Sequence, residues 1–336
     1  MKLKLAIVLA ITAGCLAWVL AGIDWSIVQV SLSDANWWAL LPVFGVYLTN
    51  HCIRSVRLRL LLNRPDIPFR AMFSVITLGF LAINVVPLRL GEFVRPYLLM
   101  ERHEVPWGQS LAAVFLERLL DLFCLLIMLL LVAWWVDLPP DSFVVGDLDV
   151  MAAGQKVVGT ATLGGLAGLV ALLVVGQPLV DLVSRLHERL GGFVGAFHRG
   201  LRDLIRRPFA ALSTLGLSLV MWSGIILAVY TLMAGFEGVP ASAQAALTTW
   251  TMTITGMTLA PTPGFWGSYE AFCLAALLIF DVERSVGTTF AVVLHLTQFS
   301  FIVGLGSSYL IAEGVSLTGL VQRSREQFSG DGVVAE

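Results

Sequence analysis

The chain has 336 residues, 57% of them hydrophobic and only 13% charged, with a formal net charge of -2 and a mean hydropathy of +0.85. That composition excludes an ordinary soluble domain. The 21 Lys plus Arg are spread over segments flanking apolar runs and do not gather into a nucleic-acid surface. The length suffices for one polytopic membrane domain.

Six stretches read as full spans, near the roughly 20 helical residues that a bilayer core requires: 3–23, 37–60, 108–136, 156–176, 209–234 and 286–312. The first, after Met1-Lys2-Leu3-Lys4, reads as an uncleaved helix, because its apolar run continues past Cys15 to Ile23. Lys2 and Lys4 place the N-terminus in the cytoplasm, and Arg54, Arg57, Arg59, Arg64 and Arg70 then mark the cytoplasmic end of the second span. A crossing at 71–88 would put the Arg-rich loop 178–207 outside and the acidic loop 137–150 inside, against the positive-inside bias. A re-entrant hairpin over 71–101 restores the bias: all Lys and Arg except Lys156, Arg284 and the intramembrane Arg118 fall on the cytoplasmic side.

Residues 243–281 form a second interrupted segment, expected as a hairpin from the outer face, since Tyr269–Asp281 is short for a crossing. Thr77 to Pro87 and Thr251 to Pro261 have equal length, and each apolar run ends at Pro, passes Gly and closes on a carboxylate. Such paired breaks point to a substrate site between repeats. The fold expected is an all-α polytopic membrane protein: about six full transmembrane helices plus two re-entrant hairpins, in inverted repeats over 37–136 and 209–312. The two hairpins are expected to wall one cavity. A single domain covers 1–320, with a cationic amphipathic cytoplasmic linker at 178–207, and a short, polar, irregular tail covers 321–336.

Ionisable groups within the membrane are costly and therefore functional candidates. Glu117, Arg118 and Asp121 share the third span, the two carboxylates one turn apart. Asn50, His51 and Arg54 lie in the second span. In the first hairpin stand Asn84, Arg89, Glu92 and Arg95 around the break at Pro87 and Gly91. Arg suits bidentate capture of phosphate or carboxylate, and half-helix ends favour anions. Arg54, Asn84, Arg89, Arg95 and Arg118 are expected to bind substrate. Glu92, Glu117, Asp121 and Glu270 are expected to balance that charge or couple to ions. The second break holds Pro261, Pro263, Gly264, Gly267 and then Ser268, Tyr269 and Glu270. His295 and Gln298 share a face of the last span, which leaves a Ser268–His295 nucleophile–base pair as a minor alternative. The isolated Cys15, Cys52, Cys124 and Cys273 read as small core residues, and no His-Glu-x-x-His or P-loop motif occurs, so neither metal nor cofactor is expected.

Three pieces, Asn84-Val-Val-Pro-Leu-Arg-Leu-Gly-Glu92 through Arg95, Glu117-Arg-Leu-Leu-Asp121 and Pro261-Thr-Pro-Gly-Phe-Trp-Gly-Ser-Tyr-Glu270, resemble the flippase-like transmembrane domain of lysylphosphatidylglycerol synthases. The resemblance covers nearly the whole chain and is to a stand-alone member, without the synthase domain. It implies a bacterial or archaeal inner-membrane protein, and the charge distribution above places both termini in the cytoplasm. It also implies movement of a polar or anionic lipid between leaflets, with an anionic phospholipid or a polycyclic lipid as cargo. The family often has a second Gly after Pro-Gly, where this chain has Phe265. Two rivals are an intramembrane enzyme acting on lipid or peptide, and a non-transporting scaffold for lipid-synthesis enzymes. No catalytic motif argues for the former, and a homo-oligomer is left open.

Overall fold

In the computed structural model, which describes residues 2–86, 91–136, 144–145, 148–149 and 150–329, every predicted span is a helix near its expected bounds. These are α1 (Lys2–Leu20), α3 (Leu40–Leu62), α6 (Trp107–Trp135), α7 (Val150–Val175), α10 (Pro208–Met233) and α13 (Arg284–Glu313). Between them lie α2 (Trp25–Asp34), α4 (Phe69–Val85), α5 (Val94–His103), α8 (Gln177–Leu186), α9 (Glu188–Ile205), α11 (Ala243–Leu259) and α12 (Ser268–Leu278), with α14 (Leu317–Ser329) at the end. A two-residue antiparallel pair, β1 (Val144–Val145) with β2 (Leu148–Asp149), makes up the only strands among the described residues.

Among the described residues, two helices, α10 and α13, are individually long and apolar enough to cross a membrane. Two bent pairs meet the same test jointly: Leu9–Leu20 with Trp25–Asp34 at 83°, and Gly159–Leu172 with Gln177–Leu186 at 104°. Both bends have a local cause. Gly22 takes φ +71 and Asp24 caps α2, its Oδ1 accepting from the Ser26 amide at 2.9 Å. Gly176, at φ +57, begins α8, whose Pro178 suits a first helical turn.

Both interrupted segments are helix–break–helix. The first pairs α4 with α5, which are in contact, across a break whose residues 87–90 lie outside the described ones; Pro96 is accommodated in the first turn of α5, where no helical amide bond is required. The second pairs α11 with α12 around a short 3-10 turn, Pro263–Phe265. The order helix, broken pair, helix therefore occurs twice, as α3-α4-α5-α6 and α10-α11-α12-α13. Two expectations change in detail. The amphipathic linker is two helices, dividing at His187. The tail from Val321 is helical as far as Ser329, because Leu320 and Ser324 are buried and α14 packs on α5.

The chain divides into two compact units, one of Met1–Asn50, Leu125–Val158 and Trp222–Val303, the other of His51–Cys124, Gly159–Met221 and Gly304–Glu336. Within the second, Leu58, Leu62, Met72, Ile76, Leu78, Val94, Leu98 and Leu116 form a continuous core. Within the first, Val43, Val229, Leu247, Trp250, Leu274, Leu277, Phe290 and Leu294 are buried. The outward flanks stay apolar: Phe209 is 86% exposed, Ile311 82% and Trp134 83%. Large apolar side chains turned outward on long helices, over a core that holds ions, suit hydrocarbon and not water.

Candidate functional site

The second unit carries an arginine–carboxylate cluster, and its centre is Arg57. From α3 its Nη1 donates to Asp121 Oδ1 at 2.7 Å and to Ser218 Oγ of α10 at 3.0 Å. Its Nη2 donates to Glu117 Oε1 at 2.8 Å. Arg95 of α5 donates through Nη1 to the other Glu117 oxygen at 2.6 Å. Arg57, Arg95 and Glu117 are each 0% exposed. Arg118 stands at the edge, its side chain 36% exposed, with Nη1 3.6 Å from Asp121 Oδ2. Arg54, one turn before Arg57, lies with Cζ 4.5 Å over the Phe80 ring of α4, and Arg95 Cζ is 5.6 Å from the same ring.

Helix periodicity assembles the cluster. Arg54 and Arg57 are three apart on α3, and Glu117 and Asp121 four apart on α6, so each pair shares a face. Arg95 reaches Glu117 because α4 has Gly79 where it passes: a Cβ there would lie 2.2 Å from Arg95 Cγ. Gly91 closes the break tightly, since a Cβ on it would lie 2.2 Å from the Ala82 carbonyl carbon.

Donors outnumber acceptors. Within the cluster, five buried guanidinium nitrogens, Arg57 Nε, Arg95 Nε and Nη2, and Arg118 Nε and Nη2, have no hydrogen-bond partner among the described residues. Among the described residues, four guanidiniums (Arg54, Arg57, Arg95 and Arg118) face two carboxylates (Glu117 and Asp121), an excess of two positive charges. Counting Glu92, whose charge also bears on Arg118, the excess is one. A buried donor without an acceptor costs about 1–3 kcal/mol, and more when charged. An anion with several acceptor oxygens would satisfy donors of this kind.

Of the residues singled out in the sequence, Arg54, Arg95, Glu117, Arg118 and Asp121 come together here. Asn84 does not take part: its amide donates to the Phe80 carbonyl of its own helix at 2.9 Å. Glu92 is half-buried and forms no ion pair among the described residues. Pro87 and Arg89 lie outside the described residues. Arg57, expected only to mark the cytoplasmic end of its span, is the residue that sequence reasoning missed. Its i, i+3 relation to Arg54 and the two carboxylates of α6 were the available signal.

The second interrupted segment lies in the first unit and builds a different arrangement. Pro263 opens the 3-10 turn, with Gly264 at φ +59 and Phe265 at φ +63, so a Phe occupies a backbone conformation that favours Gly. Gly267, at φ +86, precedes α12, and a Cβ on it would lie 2.9 Å from the Thr12 carbonyl of α1. Pro261 is exposed before the turn. Glu270, 1% exposed, accepts from the Gly267 amide at 2.7 Å, and its Oε1 lies 2.5 Å from Nδ1 of His295 in α13. His295 is therefore paired with Glu270. Ser268 instead bonds the Thr262 hydroxyl at 2.9 Å and donates to the Phe265 carbonyl at 3.2 Å, so Ser268 and His295 are not brought together as a dyad. No group of three or more His, Cys, Asp or Glu suited to a metal ion occurs among the described residues.

All-helical build, lipid-compatible flanks and buried ions define an integral, multi-pass membrane protein. The chain belongs to the family described as the lysylphosphatidylglycerol synthase TM region, whose family model matches residues 3–306. No curated protein and no solved structure gave a significant match.

Proposed function

We propose that the protein is a lipid translocase, moving a polar or anionic lipid between the leaflets of a bacterial or archaeal inner membrane. The observation that carries the proposal is the set of five acceptor-less guanidinium nitrogens in an ion cluster with surplus positive charge. An anionic headgroup supplies the missing oxygens, while its tails remain in hydrocarbon. Arg95 and Arg118 offer the free donors, Arg54 adds an uncommitted guanidinium over Phe80, and Glu117 and Asp121 hold the arginines in place. Family membership supports the reading, because the family takes its name from enzymes of a lipid product. The repeated order of helix, broken pair and helix supports two like halves of span, hairpin and span, with six crossings in all. Charge distribution supports cytoplasmic termini. No catalytic step is assigned to the chain.

The test is reconstitution into liposomes with fluorescent phospholipids, following transfer by quenching of the outer leaflet. The parent protein is expected to move an anionic phospholipid faster than protein-free liposomes do, and Arg95→Gln to slow it at least tenfold. A parent no faster than protein-free liposomes, or an Arg95→Gln variant at the parental rate, overturns the assignment.

A further inference from the structure

The first unit contains a second pair of buried ionisable groups that headgroup binding does not use. Glu270 and His295 are 1% and 3% exposed, come from different helices, and approach to 2.5 Å. The His295 ring stacks on Tyr269 at 4.3 Å and 7°, and lies 4.5 Å from Trp266. We propose that Glu270 and His295 form one proton-binding site that couples proton movement to lipid transfer; this rests on the translocase reading above.

The physical case is a balance between two charge states. With one proton shared, the pair is neutral overall, as low-dielectric surroundings favour. Without it, the pair is a lone buried anion, and this form is also accessible because Glu270 accepts from the Gly267 amide at the start of α12, where negative charge is favoured. No Lys or Arg forms an ion pair with either residue among the described residues, so nothing fixes the pair permanently in one state. The other titratable groups around it are Cys15 on α1, Tyr269 and Cys273 on α12 and Tyr47 on α3. α11, packed on α12, carries no titratable side chain. None of these neighbours is ionised near neutral pH in its ordinary range. Proton gain or loss therefore falls on Glu270 and His295, and it changes the charge at the turn where the second broken segment restarts as helix.

A purely structural fastening of α12 to α13 would survive Glu270→Gln, since the amide can still accept from Gly267 and donate to His295. Proton binding would not. The experiment has two readouts on purified, folded protein. The first is infrared titration of the protonated carboxylic-acid band, in the parent, Glu270→Gln and His295→Asn. The band in question is expected to titrate in the parent, vanish in Glu270→Gln and shift its midpoint in His295→Asn. The second is lipid transfer in liposomes under an imposed pH gradient, with a trapped pH dye. For one proton per lipid, a one-unit gradient is expected to bias the final leaflet distribution by up to about tenfold in the parent. Glu270→Gln is expected to show no such bias and no dye response. Lipid transfer by the parent that ignores the gradient overturns the coupling alone. No lipid transfer by the parent in any condition overturns the translocase reading and the coupling with it. An unchanged carboxyl titration in Glu270→Gln overturns the proton site whatever the transport result.

Discussion

The clearest consequence of the ion cluster is an inequality between two arginines. Arg57→Met removes three charge-assisted hydrogen bonds, at 2.7 and 3.4 Å to Asp121 and 2.8 Å to Glu117, carboxylates at 8% and 0% exposure, together with the bond to Ser218. Charge-assisted bonds contribute about 1.5–3 kcal/mol each, and breaking a buried ion pair from one side costs about 3–5 kcal/mol. Glu117 keeps Arg95 and Asp121 keeps Arg118, so the loss falls near the lower end, about 3 kcal/mol. Arg118→Met removes one contact at 3.6 Å from a side chain 36% exposed, which is worth about 1 kcal/mol or less. The gap of roughly 2 kcal/mol is about a 30-fold difference in the unfolding equilibrium. Tryptophan fluorescence during denaturation in mixed micelles measures it, with 10 Trp as reporters. If Arg118→Met costs as much as Arg57→Met, Arg57 is not the centre of the cluster.

Other substitutions probe the breaks and one cap. Gly91→Ala is expected to lower stability by about 3 kcal/mol, because its Cβ meets backbone at Ala82 that cannot turn aside. Gly216→Ala, with nothing within 4 Å of its Cβ, should be neutral or stabilising in the same assay; equal losses at both positions would remove the close approach as the cause. Phe265→Gly loses the ring's contacts but relieves about 1 kcal/mol of left-handed strain, so it should be better tolerated than a β-branched residue there. Phe265→Val should fall clearly below the parent, and equal tolerance of Val and Gly would refute the strained turn. Glu283 caps α13. Burial alone would raise its carboxyl, but the Ser285 and Val286 amides and the Ser285 hydroxyl hold it below the usual carboxylate range. Its contribution is therefore present above pH about 4.3 and is lost as pH falls through the depressed folded value. Glu283→Ala should cost up to about 1 kcal/mol at neutral pH, reduced by screening at this exposed site, and nothing in strong acid. A loss independent of pH would exclude the carboxylate as its source.

Helix existence was legible in the sequence because hydrocarbon-length apolar runs need no partner to be recognised. Both broken segments were legible too, since Pro and Gly act on the backbone locally whatever surrounds them. The charged set Arg54, Arg95, Glu117, Arg118 and Asp121 could be named for a related reason: ions in apolar runs stand out without any coordinates. Their partners could not be read in this way. Arg54, Arg57 and Arg59 look alike along α3, and only the facing of α3, α5, α6 and α10 chose Arg57 for Glu117, Asp121 and Ser218. Likewise Glu270 could be named as an ionisable residue beside the second break, but its contact with His295, 25 positions away, depends on how α12 meets α13. Asn84 donates to a carbonyl one turn back on its own helix α4, a local bond that the sequence pattern does not display. Composition and local backbone chemistry thus determined that this is a multi-pass helical protein with two broken segments carrying ions. Tertiary packing decided which ions neutralise one another and which guanidinium nitrogens are left without an acceptor, because pairing depends on distances between helices that no spacing within one helix encodes.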